Sequence, residues 1–405
     1  MKKLNKLVIT QMPLGNGECL VSALASENRA IELRVGTRTQ QGILGNIYVA
    51  QVENIARNIQ AAFVQIQKGQ RCYLPLKEAA QAIYTGNQRH MGELRPGDEI
   101  LVQVNREAMK TKAPSVTTNL SFTGKYLVLT SGDCRLGLSS KLDAADNVRL
   151  RKWLAERKRE NYGLVVRTNA AEASKEELLR ELSFLEKQLE RVAVYGRSRT
   201  CFSLLLEAEP FYLSAVRDAY SQELEEIVTD DRELFAGLCE YLAQYQPEDL
   251  PKLRLYEDRL LPLYKLFSLE RAFNEALREK IWLKSGGFVV IQQTEAFVSI
   301  DVNTGKFTDK KKAEETFRKI NLEAAGEIAR QLRLRNLSGI ILIDFINMQN
   351  SDHQEELLHV LARHLRKDPV KAQVIDLTAL QIVETTRKKV RRSLLEDLTA
   401  LGIFP

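Results

Sequence analysis

The sequence predicts a mixed α/β protein built from several subdomains. Two observations lead to this prediction. Residues 1–118 hold short β-type runs separated by turns, and the chain from residue 285 onward alternates such runs with long amphipathic helices. A chain of 405 residues with 44% hydrophobic residues can bury more than one core. Its length corresponds to about two to four domains.

The composition narrows the classes of function. The net charge of +6 and the pI of about 8.9 are a mild basic excess, compatible with an anionic partner without proving one. The five cysteines form no CxxC pair and the four histidines form no HExxH or HxH motif, which argues against a disulfide framework and a zinc hydrolase. The sequence shows no signal-type segment and no apolar run of membrane-span length, so we expect a cytoplasmic protein.

The first part of the chain is predicted to be β-rich. Within residues 1–40, the runs "KLVITQ", "ECLVSALA" and "AIELRVG" are typical of strands. Within residues 41–118, the runs "GNIYVAQVENI", "IQAAFVQIQ", "RCYLPL" and "EILVQVNRE" are separated by turn residues. A set of five short strands of this kind fits a small OB-type barrel.

The middle of the chain mixes strands and helices. "GKYLVLTSG" and "YGLVVRTNA" are predicted strands, and the helix "AADNVRLRKWLAERK" lies between them. A long helix follows, and Ser174 with Glu177 forms the capping box expected at its start. The charged stretch 210–280, which includes "RDAYSQELEEIVTDDRELFAGLCEYL", is predicted to be helical.

The last part of the chain predicts a βαβ unit. "SGGFVVIQQTEAFVSIDVN" is typical of a hairpin, and the helix that follows carries Ile320, Ala324, Ile328 and Leu332 on one face. Gly339 then precedes the strand "IILIDFI", which we expect to lie parallel to the second hairpin strand. The helix "SDHQEELLHVLARHLRKD", the strand "AQVIDLT" and the segment "LQIVETTRKKVRRSLLEDL" complete the chain.

Two aspartates follow apolar runs in this unit, Asp301 in "FVSIDVNTGKF" and Asp344 in "GIILIDFINM". The carboxyl ends of parallel strands meet at one rim of a sheet, where ligands usually bind. Two carboxylates close together repel each other unless a proton or a cation lies between them, and oxygen ligands favour Mg²⁺ or Mn²⁺. Asn303 projects to the same side as Asp301. The alternative is that Asp301 caps a turn and Asp344 merely begins a loop.

Several segments resemble one known family. "VSIDVNTGKF", "EETFRKINLEAAGEIARQLRLRNLSGIILIDFINM" and "LQIVETTRKKVRRSL" closely resemble the catalytic region of the bacterial ribonuclease E/G family. "GNIYVAQVENIARNIQAAFVQIQ", followed by "CYLPL", resembles the S1-type RNA-binding barrel of that family, and "YGLVVRT" resembles its 5′-end sensor. The resemblance extends over nearly the whole chain.

The resemblance implies a division into subdomains. A split RNase H-like domain would comprise residues 1–40 and 210–276, with an S1-type OB barrel at 41–118 and a 5′-sensor at 119–209 inserted between its parts. A DNase I-like α/β catalytic domain would follow at 277–405.

The resemblance also implies an activity. The family cleaves single-stranded RNA, such as messenger RNA and ribosomal RNA precursors, endonucleolytically and leaves 5′-phosphate and 3′-hydroxyl ends. By motif match, Asp301 and Asp344 would hold Mg²⁺ (or Mn²⁺), and Asn303 would assist them. The alternative is a non-catalytic RNA-binding relative of the family; a DNase is the weaker third possibility, because the barrel and sensor favour RNA.

Further residues acquire roles by the same match. The expected 5′-monophosphate contacts are Gly124, Val128, Arg167, Thr168 and Lys371, and the expected RNA contacts of the barrel are Phe63, Tyr73 and Lys112. An arginine can grip a phosphate with two hydrogen bonds, and aromatic rings can stack on any base.

Some of these assignments have a plainer alternative. Taken alone, Arg167 would be an ordinary surface arginine, and Phe63 could belong to the barrel core. The family often has arginine at the position of Lys371. The basic run "RKKVRR" at 387–392 would more commonly be the solvated face of a helix than a phosphate contact.

The sequence departs from the family pattern in two places. Most members have a CPxC zinc link after the "TRKKVRRSL" segment, whereas no cysteine follows Cys239 here. We therefore expect no zinc link, and a monomer or a dimer formed without zinc. Asn347 stands in "IDFINM" where the family usually has aspartate, which weakens any role for a third carboxylate.

Overall fold

The computed structural model describes residues 5–27, 29–38, 42–85, 93–108, 113–219, 223–305 and 313–404. The chain divides into two compact units. The discontinuous unit joins residues 1–37 to 221–405, and the continuous unit comprises residues 38–220. No helix in the described ranges is both long enough and apolar enough to cross a membrane.

The strands and helices are numbered in chain order. The strands are β1 (Asn5–Leu14), β2 (Gly17–Ser26), β3 (Arg29–Gly36), β4 (Ile47–Ala56), β5 (Ala61–Gln67), β6 (Gln70–Pro75), β7 (Glu99–Arg106), β8 (Ser115–Thr117), β9 (Ser121–Thr123), β10 (Leu127–Thr130), β11 (Leu136–Leu138), β12 (Gly163–Val166), β13 (Leu204–Leu206), β14 (Leu224–Thr229), β15 (Leu253–Leu255), β16 (Lys280–Trp282), β17 (Phe288–Gln293), β18 (Phe297–Asn303), β19 (Gly339–Asp344), β20 (Ala372–Leu377) and β21 (Ile382–Arg387). The helices are α1 (Ala144–Ala155), α2 (Lys175–Ser198), α3 (Phe211–Asp218), α4 (Arg232–Tyr245), α5 (Leu263–Leu266), α6 (Leu269–Leu277), α7 (Ala313–Leu334), α8 (Ser351–Leu365) and α9 (Leu394–Ala400).

The continuous unit contains the predicted barrel. Strands β4, β5, β6, β8 and β7 pair in that order, and pairing of β4 with β7 closes the barrel. Alternate side chains, such as Ala62 and Val64 on β5, are fully buried in its core. A closed five-stranded barrel of this kind is consistent with the expected OB-type fold.

A small sheet fills the rest of the continuous unit. Its strands lie in the order β11-β12-β10-β9, and their apolar side chains pack against α1 and α2. The predicted capping box is confirmed, because the Ser174 side chain accepts from the Glu177 N–H and the Glu177 carboxylate accepts from the Ser174 N–H. Leu178, Leu182 and Leu185 of α2 are buried in this core.

One sheet of the discontinuous unit combines segments that are far apart in sequence. Its order is β15-β14-β1-β2-β3, and β14 pairs parallel to β1. The prediction of helix throughout residues 210–280 is therefore wrong at Leu224–Thr229. Ile227 and Val228 are 0% and 2% exposed there, because β1 offers a partner strand that no local pattern reveals.

The second sheet of the discontinuous unit confirms the predicted βαβ unit. Its order is β16-β17-β18-β19-β21-β20, and β18 and β19 are parallel strands joined through α7. The predicted apolar face of α7 is at most 1% exposed at Ile320, Ala324, Ile328 and Leu332. With α8, this helix covers one face of the sheet.

The opposite face of this sheet carries exposed and half-buried side chains in the described ranges. On β18, Val298, Ile300 and Val302 are buried, whereas Asp301 is exposed. Asn303, two residues beyond Asp301, lies on the same side. This "open face" presents the polar side chains on which the candidate site is built.

The basic run at 387–392 is not a helix face. Arg387 is the last residue of β21 and is 3% exposed, and its Nε donates to Asp368 Oδ2 at 2.7 Å. Arg391 forms an ion pair with Glu32 at 3.2 Å. The run begins at the last residue of β21. Two of its arginines, Arg387 and Arg391, form ion pairs with carboxylates from distant segments, and these pairs fix the end of the strand.

Candidate active site

The structure brings Asp301 and Asp344 together on the open face. They are direct register partners on the parallel strands β18 and β19, whose separation is about 4.8 Å in any sheet. Both side chains are exposed. The helix α7 forms the crossover between these strands, so the two carboxylates meet although they are far apart in sequence.

The pair is electrostatically coupled. Partial burial, and then the charge of Asp301, raise the pKa of Asp344 above the usual range of an aspartate. The amide of Asn303 donates from Nδ2 to Asp301 Oδ2 at 2.6 Å. Asp301 thus receives a hydrogen bond, whereas the ionised form of Asp344 is destabilised by the neighbouring negative charge.

The segment after Asp344 is fixed by α7. The fully buried side chain of Asn321 donates from Nδ2 to the carbonyl oxygen of Ile346 at 2.8 Å and accepts from the Ile346 N–H at 3.1 Å. Glu314 accepts from the N–H groups of Gln349 and Asn350 at 3.3 Å each. These contacts hold the loop that leaves the aspartate pair.

The turn after Asn303 requires glycine. Gly305 has a φ of +67°, and a Cβ at this position would overlap the carbonyl oxygen of Gly286. The backbone at Gly305 therefore adopts a left-handed conformation that other residues rarely take, packed closely against Gly286.

The ligand set fits a hard divalent cation. Two carboxylates and the amide oxygen of Asn303 are oxygen donors, and Mg²⁺ is commonly held by one or two carboxylates while it keeps several waters. Across the described part of the chain, no group of three or more His, Cys, Asp or Glu residues is arranged to hold a metal ion. The carboxylate pair is thus a site that would rely on water and substrate oxygens for its remaining ligands.

Four of the expected 5′-phosphate contacts lie close together in the continuous unit. Arg167 donates from Nη1 to the carbonyl oxygen of Gly124 at 2.6 Å and from Nη2 to Asp218 Oδ1 at 2.8 Å. Thr168 follows Arg167, with its hydroxyl 3.0 Å from that of Ser139. Val128 lies on β10, which pairs with the strand that leads to Arg167.

The turn that presents Gly124 is held by the carboxylate of a half-buried glutamate. Glu181 accepts from the N–H groups of Lys125, Tyr126 and Leu127 at 2.7–2.8 Å. Burial raises the pKa of Glu181, against the lowering effect of these hydrogen bonds. The Gly124 carbonyl is thereby fixed toward Arg167.

The barrel residues Phe63 and Tyr73 form an aromatic pair. They are register partners on β5 and β6, with ring centroids 6.3 Å apart at 75°. The Arg71 guanidinium lies 4.3 Å from the centroid of Phe63. Both rings are half-buried on the outside of the barrel, so the core alternative for Phe63 does not hold.

Comparison with known proteins gives the family. Residues 121–390 match the family model described as the ribonuclease E/G family. Ribonuclease G of Escherichia coli K12 is 35% identical over 396 residues, which cover 93% of this chain and 81% of that protein. This chain belongs to the ribonuclease E/G family. Both site aspartates fall inside the matched segment.

Other members of the ribonuclease E/G family show the same extent of similarity. Ribonuclease G of Haemophilus influenzae is 33% identical over 92% of this chain and 78% of its own length. Ribonuclease E of Nostoc is 35% identical over 93% of this chain and 55% of its own length. The family resemblance inferred from the motifs is confirmed.

The remaining expected family contacts are Lys371 and Lys112. Lys371 is exposed just before β20 in the discontinuous unit, and its carbonyl accepts from the Lys388 N–H at 2.9 Å. Its role at the 5′-phosphate stays a prediction. Lys112 lies outside the described residues.

Some supporting residues were missed at the sequence level. Asp218, Glu181 and Asn321 contact the sites through hydrogen bonds between segments distant in sequence. Of these three, only Asn321 could have been found from the sequence. It lies within the apolar face of α7, and a buried polar side chain needs a hydrogen-bond partner. Nothing in the local sequence indicates the other two.

Proposed function

We propose that this protein is a Mg²⁺-dependent endoribonuclease that cuts single-stranded RNA and leaves 5′-phosphate and 3′-hydroxyl ends, in RNA processing and decay. The observation that carries the proposal is the register pairing of Asp301 with Asp344 on the open face, in a chain of the ribonuclease E/G family. The names of its relatives support ribonuclease chemistry, and the carboxylate pair supports a metal-assisted form of it.

The residues of the pair have distinct tasks in this proposal. Asp301 and Asp344 would hold Mg²⁺, which when bound neutralises phosphate charge and makes a water more acidic. Asn303 fixes the Asp301 carboxylate through its 2.6 Å hydrogen bond. Because the amide can donate two hydrogen bonds, its second N–H can orient a phosphate oxygen or the attacking water.

The continuous unit supplies most of the proposed contacts to the rest of the RNA, and the discontinuous unit supplies Lys371. The outward-facing pair Phe63 and Tyr73 can stack on bases without sequence preference, with the Arg71 guanidinium beside the first ring. The fixed guanidinium of Arg167 is the proposed ligand of a 5′-monophosphate, with Gly124, Val128 and Thr168 around it. Lys371 is proposed as the fifth contact.

The decisive experiment replaces one aspartate. Asp301→Asn is expected to abolish Mg²⁺-dependent cleavage of a short A/U-rich RNA, while RNA affinity measured without Mg²⁺ falls little. Asp352→Asn, an exposed aspartate at the start of α8, is the matched control and should cleave normally. Undiminished turnover in Asp301→Asn would refute the assigned site.

The alternative is a non-catalytic RNA-binding relative, which the half-buried, outward-facing aromatic pair on the barrel would also suit. The same assay separates the two. Tight binding without cleavage of either 5′-monophosphate or 5′-hydroxyl RNA by the wild-type protein, at any Mg²⁺ or Mn²⁺ concentration, would select the binding function.

A further inference from the structure

An aromatic cluster lies on the open face, next to the aspartate pair. Trp282 of β16 pairs with Phe288 of β17, which pairs in turn with Asn303 of β18. Ile281 and Val289 point into the core and are 5% and 0% exposed, whereas Trp282 is 64% exposed. The two aromatic rings and the site asparagine therefore follow one another across three strands, on the same face.

A lysine completes the cluster. The Nζ atom of Lys280 lies 3.6 Å from the ring centroid of Phe288 and 4.4 Å from that of Trp282, and the two rings are 5.2 Å apart at 59°. No carboxylate of a described residue forms an ion pair with Lys280. The rings hold the ammonium in place by cation–π attraction and leave its charge uncompensated within the described ranges.

The cluster is continuous with the candidate active site. A Cβ built on Gly305 would lie 3.9 Å from Cζ3 of Trp282, so the indole borders the turn that directly follows Asn303. Two strand spacings, about 10 Å, separate the backbones of Trp282 and Asn303. That distance is within reach of a nucleotide whose phosphate lies at the aspartates.

We propose that Lys280, Trp282 and Phe288, here named the edge platform, bind a nucleotide of single-stranded RNA that flanks the scissile phosphate. The indole stacks on the base, and the Lys280 ammonium contacts a backbone phosphate. This inference deepens the proposed function and rests on it.

The chemistry favours RNA over a protein partner or a lipid surface. The platform presents one exposed indole, a half-buried phenyl ring and a cation, and β18 beyond it carries the polar side chains of Asn303 and Asp301 on the same face. A protein or membrane contact would need a broad apolar patch. An aromatic plane beside an uncompensated cation instead matches the alternation of base and phosphate along a strand.

The test uses the fluorescence of Trp282. The chain has two tryptophans, and the other, Trp153, lies in the continuous unit. In the variant Trp153→Phe with Asp301→Asn, Trp282 is the sole tryptophan and cleavage is blocked. Titration with a short single-stranded A/U-rich RNA in EDTA should quench the emission of Trp282 to saturation. The same RNA with abasic nucleotides throughout should not.

Affinity measurements supply matched controls. Trp282→Ala should weaken binding of the short RNA roughly 5- to 150-fold, the effect of losing one stacked base, and Trp282→Phe should retain most of the wild-type affinity. Phe297→Ala removes another partly exposed aromatic ring from the open face, at the far end of β18, and should leave affinity unchanged. Absence of quenching at saturating RNA, or an equal loss in Phe297→Ala, would overturn the edge platform.

Failure of the platform and failure of the proposed function give different results. Quenching is measured without turnover. If Asp301→Asn is inactive and RNA leaves Trp282 unquenched, the aspartate site stands and the platform is wrong. If Asp301→Asn still cleaves while RNA quenches Trp282, the platform remains an RNA contact and the catalytic assignment is wrong.

Discussion

The position of Asp344 makes its charged form unfavourable in the folded protein. Its exposed carboxylate loses part of its hydration beside the sheet and lies next to a second carboxylate, and both effects raise its pKa. In the folded protein it therefore holds its proton to a higher pH than in the unfolded chain, whose aspartates titrate near 4. Protonated Asp344 therefore contributes to the stability of the folded protein at low pH. This contribution to the free energy of unfolding is lost as the pH rises through the pKa of Asp344 in the folded protein.

The first prediction follows from this sign. Asp344→Asn removes the charge, so the variant should melt higher than the wild type at pH 7.5 in EDTA, by no more than about 2 °C because solvent screens an exposed pair. The difference should disappear near pH 4. Thermal melting at the two pH values measures it. The control is Asp352→Asn, which removes an acidic side chain from the N-terminus of α8 and should not raise the melting temperature. A melting temperature of Asp344→Asn below that of the wild type at pH 7.5 would contradict the prediction.

The second residue-scale prediction concerns Arg167. Its guanidinium is oriented by the Gly124 carbonyl and Asp218, so its remaining N–H groups have a fixed direction. Arg167→Ala should erase any difference in cleavage rate between 5′-monophosphate and 5′-hydroxyl RNA. The ratio of the two rates is the measurement.

A nearby arginine provides the control for that ratio. Arg135 is 88% exposed and pairs only locally, with Asp133 at 2.7 Å, so Arg135→Ala should keep the wild-type ratio. A ratio that survives Arg167→Ala would remove the phosphate-binding role from this arginine.

At the scale of elements, α7 does more than connect two strands. Its apolar face covers the sheet, and Asn321, within that face, bonds the loop after Asp344 through both atoms of its amide. The helix thus fixes both the register of the aspartates and the path of the chain that leaves them.

The third prediction tests this element. Asn321→Ala leaves the N–H and carbonyl of Ile346 without these partners, which should lower the free energy of unfolding by about 1–3 kcal/mol. Cleavage should also slow, because the loop beside Asp344 is released. Lys319→Ala, an exposed change on the same helix, should leave both quantities near wild type. Denaturant unfolding and cleavage assays would measure them; wild-type stability of Asn321→Ala would show that the loop is held by other contacts.

At the scale of the whole molecule, one unit is interrupted by the other along the chain. β1 and β14 pair through residues 220 positions apart, such as Lys6 and Glu226. The continuous unit, by contrast, has its apolar cores entirely within residues 38–220.

The fourth prediction is that the two units differ in autonomy. Residues 38–219 expressed alone should unfold in one cooperative thermal transition, since the two described apolar clusters of this unit are built from its own residues. Residues 223–405 expressed alone lack β1–β3, which pack with residues such as Val228 and Leu398, and should be less soluble than the same fragment coexpressed with residues 1–37. A non-cooperative melt of the first fragment would argue against its independence.

Much of the architecture follows from local pattern. Four features could be predicted from the sequence, because each depends on periodicity or on residues a few positions apart. They are the hairpin, α7 with its buried apolar face, the parallel strand after Gly339 and the capping box at Ser174. The strand β14 and the buried ion pair of Arg387 could not be predicted, because distant segments supply the partner strand β1 and the carboxylate of Asp368.

The sequence alone determined the two aspartates, the asparagine between them and the family to which they belong, since these are encoded in contiguous motifs. Only the tertiary structure decided that Asp301 and Asp344 are register partners, that Phe63 faces outward and that Trp282 with Lys280 borders Asn303. The physical reason is that strand pairing fixes which side chains become neighbours across a sheet, and that pairing is set by the packing of the whole unit.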